Sequence, residues 1–109
     1  MAKAIRFQNF VLDLERYALS NADGIVSLRP KSFEVLRYLA EHARRVVPKE
    51  DILGAVWADV NVTDESLTRC ISDVRRAIND DDQRIIKTVA KRGYLFDPID
   101  LSFDEAKSD

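Results

Sequence analysis

The sequence predicts an α+β domain in which a small antiparallel sheet comes first, three helices follow, and a β-hairpin comes last. Three observations carry this. Apolar and polar residues alternate near the N-terminus, apolar residues recur every three or four positions in three later segments, and a β-branched run folds back through a turn at Gly93.

At the N-terminus, Ile5 and Phe7, then Phe10, Leu12 and Leu14, alternate with polar neighbours. Tyr17 and Leu19 lead into Asn21-Ala22-Asp23-Gly24, after which Ile25-Val26-Ser27-Leu28 returns. Asp-Gly between apolar runs supplies the positive φ that a tight hairpin needs. The pattern leaves the strand count open.

Pro30 opens the first helix, where a missing N–H costs little. Phe33, Leu36, Leu39, Ala40 and Ala43 form its inner face, with Val35 and Tyr38 flanking. Pro48 opens a second helix carrying Ile52, Leu53, Val56 and Trp57. Trp57 is expected to anchor the core while its indole edge reaches solvent. His42, near a helix end without a catalytic partner, reads as structural or solvated.

From Thr63 to Asn79, Leu67, Cys70, Ile71, Val74, Ala77 and Ile78 gather on one helical stripe. Thr63 is placed to cap this third helix, Asp64 and Glu65 suit its N-terminal dipole, and Arg75 and Arg76 suit the other end. The opposite face presents Thr68, Arg69, Ser72, Asp73, Arg75 and Arg76. Such a face is ordinarily only solvated. Here a cationic hairpin follows it: the turn cluster Asn79-Asp80-Asp81-Asp82, a strand in Arg84-Ile85-Ile86-Lys87-Thr88-Val89, the turn Ala90-Lys91-Arg92-Gly93, and a returning strand Tyr94-Leu95-Phe96. A helix fits a major groove, and phosphates attract Lys and Arg beside it.

Composition narrows the alternatives. The chain has 109 residues, enough for one domain with its own core. Its one cysteine, Cys70, cannot form an intramolecular disulfide and sits on the apolar stripe, so a small core residue is the expectation. No apolar run approaches the roughly 20 residues that cross a bilayer, and the N-terminus has no signal-peptide core. Neither a metal-binding cluster nor a catalytic constellation is visible: consecutive Asp80, Asp81 and Asp82 in a turn do not converge on one site, and no enzyme, cofactor or metal is expected. The net charge of −2 gives little help to nucleic-acid binding, but its distribution is uneven. Residues 97–109 hold five acidic side chains and one basic, leaving 16 basic and 14 acidic in residues 1–96. The expected division is therefore a domain at 1–96 and an acidic, flexible tail or linker at 97–109.

The segment from Val62 to Asp80, the stretch Arg84-Ile85-Ile86-Lys87-Thr88-Val89, and Gly93-Tyr94 with Phe96 strongly resemble the winged helix-turn-helix DNA-binding domain of OmpR/PhoB-type bacterial transcriptional regulators. Leu28 to Ala40 looks like that family's first helix, and Arg45 to Trp57 like its second. The resemblance runs from about Phe7 to Phe96, in the family's order and spacing.

It implies a cytoplasmic, sequence-specific binder of double-stranded DNA, engaged in transcription regulation and related to phosphorelay signalling. Helix 63–79 would enter the major groove and wing 84–96 would lie on the backbone or minor groove. Thr68, Arg69, Ser72, Asp73 and Arg76 become candidates for base edges and nearby phosphates, with Asp73 either accepting from cytosine or orienting an arginine. Arg75, Lys87 and Thr88 are assigned to phosphates, Trp57 to a backbone contact through its N–H, and Lys91 and Arg92 to the wing tip. Many relatives carry arginine where this chain has Ala90, which moves the expected role of the tip from minor-groove reading to phosphate contact.

Loop residues Asp59, Val60 and Asn61 are either a simple connector or a surface for RNA polymerase, and a dimer on tandem DNA repeats is the family expectation. A receiver domain upstream, or an N-terminal placement as in ToxR- and CadC-like regulators with a membrane anchor or other sensor after residue 109, both fit the family; Met1 favours the latter. The reading from another class is a winged-helix module that docks a protein and does not bind DNA.

Overall fold

The computed structural model describes residues 2–105. Four strands open the chain: β1 (Ala2–Phe7), β2 (Phe10–Asp13), β3 (Ala18–Asn21) and β4 (Gly24–Val26). They pair antiparallel so that Ile5 faces Leu12, Leu12 faces Leu19, and Leu19 faces Val26. This apolar row fixes the register, because a one-residue slip would turn Ile5, Leu12 and Leu19, all buried, to the opposite face.

Helix α1 (Pro30–Glu41) begins with proline at its first turn and buries Phe33, Val35, Leu36, Leu39 and Ala40. Val35 is thus fully inside and does more than flank the stripe. His42 caps α1, and its Nδ1 lies 2.8 Å from the Tyr38 carbonyl, in agreement with a structural role. Helix α2 (Lys49–Val56) follows, with Pro48 at its N-cap and Trp57 at its C-cap. Between α1 and α2 lies the strand β5 (Val46–Val47), which the sequence pattern does not mark, while the second helix opens at Pro48 as expected. Both valines pair with the wing, and Pro48 disfavours helix for the residue before it.

Helix α3 (Asp64–Ala77) has Thr63 at its N-cap and buries Leu67, Cys70, Ile71 and Val74 as the spacing requires. Its end is a Schellman turn: Asn79 N–H donates to the Arg76 carbonyl at 3.3 Å and Asp80 N–H to the Arg75 carbonyl at 2.7 Å. Asn79 takes the left-handed φ of 56° that this turn demands. The wing strands β6 (Ile86–Val89) and β7 (Gly93–Phe96) then form a three-stranded sheet ordered β5-β7-β6. Phe96 meets Phe7 edge-on at 5.1 Å between ring centres, tying the wing sheet to the N-terminal sheet.

The expected tail does not begin at residue 97. Strand β8 (Leu101–Glu105) pairs antiparallel with β1, placing Phe103 opposite Ile5, so the N-terminal sheet has five strands in the order β4-β3-β2-β1-β8. The backbone of β1 would otherwise present an open edge, and ladder hydrogen bonds offset the acidic character of this segment. The remainder of the expected tail, 106–109, lies outside the described residues.

Candidate nucleic-acid interface

Helix α3 leaves one face uncovered. Thr68, Arg69, Ser72 and Arg76 are exposed on it, at positions that share one side of a helix about 21 Å long. The Thr68 hydroxyl donates to the Asp64 carbonyl at 3.1 Å. Arg69 lies 3.4 Å from Glu65, and both side chains are more than two-thirds exposed. Such an i, i+4 pair is worth only about 0.3–0.5 kcal/mol, so Glu65 does not lock the guanidinium away from a ligand. Arg76 makes no side-chain hydrogen bond or ion pair among the described residues.

Asp73 sits at the margin of this face and is the centre of a cross-helix network. Its Oδ2 accepts from Arg29 Nε at 2.7 Å, from Arg29 Nη2, and from the buried Ser32 hydroxyl at 2.9 Å. Partial burial pushes its carboxyl up, but the hydrogen bonds from Arg29 and Ser32 and the charges of Arg29 and Arg76 outweigh this and hold it below the usual aspartate value. The arginine that Asp73 orients is therefore Arg29, at the N-cap of α1, and none of the three arginines on its own helix. This bond also fastens α3 to α1.

Three sequence assignments change. Arg75 is not a free phosphate ligand: its Nε and Nη2 donate to the Ile86 carbonyl at 3.2 and 2.7 Å, and Nη2 also reaches the Thr88 hydroxyl at 2.9 Å. It clamps β6 against α3, and Thr88 is the acceptor in that clamp. Lys87 points to the opposite side of β6 from Thr88, as strand alternation demands, and its Nζ meets Asp97 at 2.9 Å. Arg44 shares Asp97 at 3.1 Å, so Lys87 belongs to a brace between the wing and the segment after it. The hydrogen bond from Lys87, opposed by slight burial and aided by the charges of Lys87 and Arg44, keeps Asp97 below its usual pKa.

The wing tip remains available. Lys91 and Arg92 are exposed, and with Lys49, Glu50 and Asp64 they border an open cleft at the N-terminal ends of α2 and α3. Lys91 has a left-handed φ of 64°, and Arg92 N–H closes the turn on the Val89 carbonyl at 3.0 Å. Trp57 is half-buried and packs against the core. The loop at 58–62 is largely exposed, with Val60 at 60%.

Sequence reasoning missed Arg29, Ser32, Lys49 and the role of Asp80. Asp80 is 3% exposed, and its carboxylate accepts from three successive backbone N–H groups, Arg84 and Ile85 on Oδ1 and Ile86 on Oδ2, at 2.8–2.9 Å. It folds the connection from α3 into β6 and thereby sets where the wing starts. Its neighbours Asp81 and Asp82 are exposed. No helix among the described residues is long and apolar enough to cross a membrane.

An uncovered polar helix face, a cationic hairpin beside its N-terminal end, a three-helix core and an N-terminal antiparallel sheet define a winged helix-turn-helix domain of the OmpR/PhoB type. The family described as "Transcriptional regulatory protein, C terminal" matches residues 23–96, and the chain belongs to it. Among its relatives, Transcriptional regulator HilA of Salmonella typhi is 38% identical over 95 residues, covering 86% of this chain but 17% of HilA. The DNA-binding domain of Escherichia coli CadC has the same fold, with a TM-score of 0.79 at 24% identity over 93% of this chain and 96% of that one. The Klebsiella pneumoniae RstA DNA-binding domain, solved in complex with the RstA box, superposes with a TM-score of 0.76 at 29% identity, covering 88% of this chain and 98% of that domain.

Proposed function

We propose that α3 supplies the base-reading surface of this double-stranded-DNA-binding domain from a bacterial transcriptional regulator, and that the wing tip holds the backbone beside it. The uncovered face of α3 carries the proposal. Arg69 and Arg76 present forked donors suited to guanine, Thr68 and Ser72 offer short hydroxyls that tolerate close approach, and Asp73 has one oxygen, Oδ1, left to accept from a base amino group. Lys91, Arg92 and Lys49 take phosphates at the N-terminal end of α3, and the Trp57 N–H takes another. Binding as a dimer on tandem half-sites and contact with RNA polymerase through exposed loop 58–62 complete the proposal, which places the domain's work in the cytoplasm.

Titration of a labelled random-sequence duplex at low salt tests it. Binding with a dissociation constant on the order of 10⁻⁴–10⁻⁶ M that weakens steeply as salt rises is expected, because Lys and Arg displace condensed counterions. No binding at any salt would favour the module that docks a protein instead.

A further inference from the structure

The C-terminal half of α3 has a cationic flank of its own, contributed by a different element. Ser27, Leu28, Arg29, Asp73, Arg76 and Ala77 line an open cleft between the start of α1 and α3. Two guanidinium groups and one carboxylate meet there, leaving an excess of one positive charge. Arg29 is 66% exposed, yet it is not a loose surface side chain: Asp73 holds its Nε and Nη2. Two of its five N–H bonds are spent on that carboxylate, and Nη1 keeps both of its own free. Lys31, the neighbouring cation, is already committed to the Val56 carbonyl at 2.9 Å and to Glu34.

We propose that Arg29, positioned by Asp73, binds a DNA backbone phosphate at this cleft. The proposal rests on α3 lying in the major groove. A helix in a groove is bordered by a phosphate strand on each side, and about 21 Å of helix separates two flanks. Lys49, Lys91 and Arg92 occupy the N-terminal flank, and Arg29 occupies the C-terminal one. Asp73 is the positioning residue: a carboxylate beside DNA is unfavourable unless a cation covers it, and Arg29 both covers it and presents its outer edge.

The test is the salt dependence of binding to a random-sequence duplex, followed by fluorescence anisotropy, for the wild-type chain, Arg29→Gln and Arg29→Lys. Wild-type binding must be seen first; its absence would remove the DNA-binding reading itself. With wild-type binding present, Arg29→Gln is expected to make the log–log salt slope shallower by about 0.9, the contribution of one phosphate, while Arg29→Lys keeps most of it. A role confined to joining α1 and α3 would leave the slope unchanged, and that result overturns the proposal. Should Arg29→Gln unfold, the wild-type protein still decides: the Arg29 Nε–H resonance, visible through its bond to Asp73, is expected to shift when the duplex is added. An unmoved resonance at saturation also overturns the proposal.

Discussion

Gly93→Ala is expected to destabilise the domain by about 2–6 kcal/mol in urea denaturation, with loss of the wing sheet. A Cβ at this position would stand 1.9 Å from the Val47 carbonyl oxygen and 2.9 Å from the Pro48 Cα, both backbone atoms that cannot rotate away. Gly93 also has a φ of +144°, outside the range that L side chains adopt readily. The sequence explains glycine here by the turn alone; the structure adds the close passage of β5 across β7. Gly54 supplies the contrast within the same chain. It lies in α2 with open space around it, so Gly54→Ala is expected to be neutral or to stabilise by about 0.5–1 kcal/mol. Equal effects of the two substitutions would refute the steric account.

Asp80→Ala is expected to cost about 2–4 kcal/mol, because three N–H groups lose their acceptor at once and those of Ile85 and Ile86 are buried. Asp80→Asn, which keeps one carbonyl oxygen, should lose less. The loss should be local as well as global. Amide hydrogen exchange in β6 is expected to rise more than in α1, since the carboxylate fixes the connection through which α3 and the wing share one geometry. Exchange that rises uniformly would mean that Asp80 does not organise this connection.

What could be read in the sequence follows the range over which each feature is determined. Helix α3 is legible because its stripe repeats within the helix and its Schellman end depends on adjacent residues; expected limits of 63–79 and observed limits of 64–77 differ only in the capping residues at each end. The wing hairpin is legible for the same reason, as β-branched residues flank a local turn. Strands β5 and β8 are not. Val46–Val47 becomes a strand only because β7 passes beside it, and Leu101–Glu105 only because β1, from the other end of the chain, offers its open edge.

Side-chain roles divide likewise. Exposure of Arg69, Ser72 and Arg76 follows from helical spacing, whereas the diversion of Arg75 to the Ile86 carbonyl, Lys87 to Asp97 and Asp73 to Arg29 depends on partners 11, 10 and 44 residues away. A cation counted from sequence is therefore only a candidate. Of the six Arg and Lys residues from Arg69 to Arg92 first assigned to DNA, Arg75 and Lys87 hold the protein together, and Arg69, Arg76, Lys91 and Arg92 remain free or weakly paired.

The most direct measurement of the central claim is the specificity ratio of α3 variants. A duplex selected from a random pool by the wild-type domain would be compared with a scrambled duplex of the same composition, in mobility-shift titrations at fixed salt. Arg69→Ala with Arg76→Ala is expected to cut the ratio of the two affinities by at least about tenfold, since each bidentate base contact discriminates by about 1–3 kcal/mol. Thermal unfolding of this double variant should stay near that of the wild type, both side chains being exposed and neither bracing the core. A specificity ratio unchanged in a folded double variant would contradict the assignment of α3 as the reading surface.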